Sequence, residues 1–143
     1  MISSGMRWLA LAALVASAAA CSSSSSSSGG GPAAPKRPNE ELIVGDYERH
    51  PPDGTTVIRF KSDGSVELAH DRSTIGSKDL AAGTFELQGD ALTLTYATGD
   101  MCKDAGPGHY KIVISKVGIR FTKVDDPCDQ RAKMDGQTWF RAN

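Results

Sequence analysis

Charge of one sign, clustered histidine and long apolar runs are all missing from this chain. Its 143 residues carry 16 basic and 17 acidic side chains, a net charge of −1. No basic face of the kind that binds nucleic acid follows from that balance. The three histidines, His50, His70 and His109, are not at metal-ligand spacing and fall in separate segments. Neither Ser65 nor Ser77 sits in a Gly-x-Ser-x-Gly setting, so no nucleophile motif is present. Asp125, Asp126, Asp129 and Asp135 lack the ordered spacing and closing glutamate of a calcium loop. The triple glycine at 29–31 has neither a strand before it nor a helix after it, which excludes a phosphate loop. The residues therefore predict no catalytic set, no metal and no cofactor.

What is present divides the chain in three. Residues 1–20 hold one base, Arg7, then an apolar run from Trp8 to Val15, then small residues. That order is the order of a secretory signal. The run is shorter than the roughly 20 residues a bilayer span needs. Ala18-Ala19-Ala20-Cys21 resembles the bacterial lipobox, which implies cleavage before Cys21 and a thioether-linked diacylglycerol on it, with palmitate the expected acyl type. The same Ala-x-Ala pattern also fits ordinary signal-peptidase cleavage without lipid. Residues 21–38, a serine run, three glycines and a Pro-rich stretch, contain nothing that builds a core. As a coil from 22 to 38 they span roughly 20–25 Å. The expected arrangement is signal peptide 1–20, lipidated Cys21 and tether 21–38, and a folded domain 39–143. Export agrees with the cysteines. With Cys21 lipidated, Cys102 and Cys128 remain as an even pair, which reads as a disulfide. A metal pair or a reactive thiol is the alternative.

Residues 39–143 alternate in short runs between Gly and Asp turn signals, as an all-β barrel or sandwich does. Strands are predicted at 41–49, 56–61, 66–70, 84–88, 91–96, 110–114, 119–122 and 137–141. Asp63-Gly64 and Gly89-Asp90 supply tight turns. A short helix is predicted from Asp126, as its cap, to about Met134, with Pro127 in the first turn. The expected fold is all-β, an eight-stranded antiparallel up-and-down barrel with one short helix before the last strand.

Gly45-Asp46-Tyr47 on the first strand looks like the Gly-x-Trp opening of lipocalins. The repeated hairpins, and the ending from Val124 through Cys128 and Arg131 to Trp139 and Arg141, look like small bacterial lipocalin-like lipoproteins. The resemblance covers about residues 42–142. It implies a lipocalin-like barrel in which a late arginine covers the first-strand aromatic. Arg141 is the matching candidate, with Arg131 second, so Gly45, Tyr47 and Arg141 are the expected barrel closure. Phe60, Phe85, Tyr96, Tyr110, Phe121 and Trp139 are the candidate lining of an apolar pocket, or simply core. An eight-stranded barrel either fills with its own side chains or holds one small ligand.

The resulting expectation is a monomeric, non-enzymatic lipoprotein of the cell envelope. Its partners are a membrane through the anchor and a small apolar ligand, with no nucleic acid. Ser22 after the cysteine resembles lipoproteins sent to the outer membrane, facing the periplasm. The alternative is a protein-interaction module, an inhibitor or an envelope-assembly partner, built on a side-chain-filled barrel.

Overall fold

The computed structural model describes residues 36–143 except residue 53. The signal-peptide reading of 1–20, the lipidation of Cys21 and the tether up to residue 35 lie outside the described residues. The described chain is a closed antiparallel barrel in which strands neighbour one another in sequence order and the eighth pairs back with the first. These are β1 (Gly45–Arg49), β2 (Thr56–Phe60), β3 (Ser65–Ala69), β4 (Ala81–Gln88), β5 (Ala91–Gly99), β6 (Gly108–Ile114), β7 (Gly118–Asp125) and β8 (Thr138–Arg141). Closure leaves no strand edge unpaired.

Alternation decides which side chains fill the barrel. Ile58 and Phe60 on β2, Leu92, Leu94 and Tyr96 on β5, and Tyr110 and Ile112 on β6 are buried. Their odd neighbours Arg59, Thr93, Thr95 and Lys111 are more exposed. Inside, aromatic rings meet edge to face: Phe60 with Phe85 at 5.0 Å and Tyr110 with Phe121 at 6.3 Å between centroids. Phe121 meets Trp139 in the same way at 6.3 Å. Such pairs add roughly 0.5–1.5 kcal/mol each beyond their buried area. On the outside, Asp46 stands opposite Arg59 across β1 and β2. Its carboxylate accepts from Arg59 Nε at 2.6 Å and Nη2 at 2.8 Å, and from Arg72 Nε at 3.3 Å. Those hydrogen bonds hold the Asp46 carboxyl below the usual carboxylate range.

Two close approaches need glycine. A Cβ at Gly83 would fall on the Thr95 carbonyl oxygen, where the β4–β5 register shifts, and one at Gly118 on the Trp139 carbonyl oxygen.

Several boundaries differ from the sequence expectations. Residues 41–42 do not begin the first strand; they belong to α1 (Asn39–Leu42), and β1 starts at Gly45. The strand expected at 84–88 begins at Ala81, and the one expected at 137–141 begins at Thr138. The helix expected from Asp126 to about Met134 is a single turn, α2 (Asp129–Ala132), capped by Cys128 rather than Asp126. Asp126 is occupied elsewhere, as described below.

Candidate functional site

The barrel has two unlike ends. At one end α1 folds over the opening. Asn39 Nδ2 donates to the Gly89 carbonyl at 2.8 Å, and Gly89 N–H donates to Glu40 Oε1 at 3.1 Å, which ties α1 to the β4–β5 turn. Tyr47, fully buried, donates its hydroxyl to the Leu42 carbonyl at 3.0 Å. Arg141 reaches the same carbonyl at 2.9 Å and donates to the Tyr47 hydroxyl at 2.9 Å. Its guanidinium carbon lies 4.9 Å from the Tyr47 ring centroid. Gly45, at φ 141°, brings a backbone with no Cβ to within reach of that guanidinium. Leu42 O is a helix-end carbonyl without an intrahelical partner, so two side-chain donors satisfy it. Arg131, the second candidate for this position, is at the other end.

That other end carries α2, the loop between β5 and β6, and the disulfide Cys102–Cys128. Beneath them lies a buried ion pair. Arg131 Nε donates to Asp126 Oδ2 at 2.7 Å and Nη2 to Oδ1 at 2.8 Å. Both side chains are 0% exposed. Asp126 also accepts from the Tyr110 hydroxyl and from the Cys128 backbone N–H. Arg131 Nη2 donates to the Gly106 carbonyl at 2.7 Å, and its guanidinium stacks 5.0 Å from the Tyr96 ring centroid. Gly108 makes room, because a Cβ there would strike Asp126 and Arg131 together. Burial pushes the Asp126 carboxyl up, but the hydrogen bonds from Arg131, Tyr110 and Cys128 N–H outweigh it and leave it below the ordinary range. This pair ties α2 and the disulfide loop to β6 and the end of β7. It is sealed, and it reads as a structural lock.

The chain's three tyrosines, Tyr47, Tyr96 and Tyr110, are all buried, and burial pushes each hydroxyl's pKa above its ordinary value. For Tyr110 the hydrogen bond to the Asp126 carboxylate adds to the rise. A folded pKa above the unfolded one contributes stability that is complete below about pH 10 and is lost as pH climbs further. Ultraviolet titration of the folded domain should show tyrosinate forming at higher pH than in denaturant, where all three phenols should titrate near 10. Tyrosinate forming near pH 10 without unfolding would contradict this burial.

Beside the lock lies a pocket of about 100 Å³, lined by Arg49, Thr56, Leu68, Met101, Gln130, Lys133, Met134, Gln137 and Trp139. These come from β1, β2, β3, β8, the β5–β6 loop and α2 with the segment after it. Leu68, Met101, Met134 and Trp139 form apolar walls. Arg49 stacks on Trp139, its guanidinium carbon 5.8 Å from the ring centroid. Three buried polar atoms of the lining residues have no hydrogen-bond partner among the described residues: Arg49 Nε, Gln137 Oε1 and Trp139 Nε1. Buried polar atoms are ordinarily paired; Tyr96 Oη and Arg131 Nη1, beside the buried ion pair, are likewise without a partner among the described residues. A larger hollow, about 560 Å³, is elsewhere. It lies at the α1 end and is lined by Arg37, Glu41, Leu42, Val44, Ile114, Ser115, Lys116 and Arg141.

Of the six candidate lining aromatics, only Trp139 borders the α2-end pocket. Phe60, Phe85, Tyr96, Tyr110 and Phe121 belong to the packed interior, Phe85 half-buried at its margin. The chain matches no protein-family model and no curated protein.

Proposed function

We propose that this chain is a non-enzymatic, lipid-anchored, lipocalin-like barrel of the cell envelope that holds a small ligand at its α2 end. The observation that carries the ligand half is the apolar-walled pocket whose residues bear three unpartnered polar atoms. The packed aromatic interior leaves the barrel centre to its own side chains, so the ligand sits at the mouth. The disulfide supports export, because such bonds persist in oxidising compartments. In this reading the signal 1–20 is removed, Cys21 carries the acyl chains, and two or more chains suffice for stable anchoring. Outer-membrane placement facing the periplasm, and a monomeric state, complete the proposal.

A second reading, a protein-interaction module, is favoured by one observation. Val113, Val117 and Phe140, on β6, the β6–β7 turn and β8, are 67%, 63% and 53% exposed. Apolar groups gathered on one side suit a protein partner.

Native mass spectrometry of the full chain extracted from its own membrane separates these readings. The expected species begins at a diacylated Cys21 and carries a small-molecule adduct that Trp139→Ala loses. An unmodified Cys21 overturns the anchor. A retained protein or a bare polypeptide overturns the ligand.

A further inference from the structure

We infer that the α2-end pocket selects an organic anion: a small carboxylate with a short apolar tail. The inference rests on the reading of this pocket as a ligand site, and it names the ligand's chemistry.

The lining residues include two cations, Arg49 and Lys133, and no carboxylate. Among the described residues Arg49 makes no ion pair, unlike Arg59, Arg72 and Arg131, each of which has an aspartate. Alternation on β1 places Arg49 on the same face as buried Tyr47, so this cation sits at an inward position at the barrel's rim. Arg49 is half-buried there, with its charge free to meet an anion that enters the pocket. Two of the three orphaned atoms are donors, Arg49 Nε and Trp139 Nε1, and Trp139 is only 3% exposed. Both atoms belong to residues that line the pocket, and a carboxylate is the acceptor that makes the stronger kind of hydrogen bond. The walls of Leu68, Met101 and Met134 then suit a short alkyl or aryl portion. The volume, about three waters' share of liquid, limits what enters fully to a few heavy atoms.

The comparison that tests this is calorimetric titration of the full chain, held in zwitterionic lipid nanodiscs, with butyrate, 1-butanol and butylamine. Butyrate should bind at least about tenfold more tightly than butanol, as a charge-assisted hydrogen bond implies, and butylamine should not bind. Arg49→Gln should reduce the butyrate preference to within about threefold while leaving butanol binding in place. Lys133→Gln, at an exposed position, should weaken butyrate by a smaller factor that shrinks with added salt. Equal binding of butyrate and butanol would overturn the anion inference and leave the pocket reading standing. Binding of none of the three would overturn both. Preferential binding of butylamine would reverse the assigned charge and sink the inference.

Discussion

Asp126→Asn should destabilise the barrel by about 3–5 kcal/mol, because it leaves the Arg131 guanidinium charged and unpaired in a dry interior. Both side chains are fully buried, and Asp126 takes four hydrogen bonds, from Arg131 twice, Tyr110 and Cys128 N–H. Urea unfolding followed by far-ultraviolet circular dichroism would measure the loss. Replacing both partners, as Asp126→Leu with Arg131→Met, should recover much of it, since the desolvation of both ions disappears together. The pH dependence follows from the same pair. The folded Asp126 carboxyl titrates below its unfolded value, so its contribution is complete above about pH 4 and is lost as pH falls further. Asp126→Asn should remove that part of the acid sensitivity and leave the part from Asp46. A loss under about 1 kcal/mol would mean that the pair is solvated and not the lock described.

Removing the disulfide as Cys102→Ser with Cys128→Ser should cost about 3–4 kcal/mol on the chain-entropy account, the bond joining residues 26 apart. Its effect should not simply add to that of Asp126→Asn. Cys128 Sγ accepts from Arg131 N–H at 3.5 Å and its N–H donates to Asp126 Oδ1 at 2.8 Å, so bond and ion pair share a residue. Groups in one network couple by roughly 0.5–3 kcal/mol. Urea unfolding of the four species in a double-mutant cycle would measure the coupling, and strict additivity would show that bond and ion pair act independently.

The barrel was legible because its determinants are local. Alternation along Leu92, Leu94 and Tyr96, and glycines at Gly64 and Gly89 with positive φ, mark strands and turns within a few residues. What escaped depends on distant partners. Leu42 opens the apolar run Leu42-Ile43-Val44 that looks like strand, but Leu42 is fixed by Arg141, 99 positions away. Asp126-Pro127 carries every local sign of a helix cap. Its real role needs Arg131, the Tyr110 hydroxyl and the missing Cβ of Gly108, none of which a window around Asp126 can weigh. The pocket was hidden for the same reason, as its residues come from six separate segments. One signal did exist. Arg49 shares parity with Tyr47 on β1, so a cation at an inward position marks the rim.

A small anion in the pocket beside Trp139 is what the proposed function and its anion preference require. The Trp139 indole N–H resonance, assigned by its loss in Trp139→Phe, tests this most directly during a butyrate titration. That proton has no acceptor among the described residues. Butyrate should move the resonance in a saturable way, and Arg49→Gln should raise the butyrate concentration needed. An indole resonance unmoved by butyrate at any concentration would contradict it.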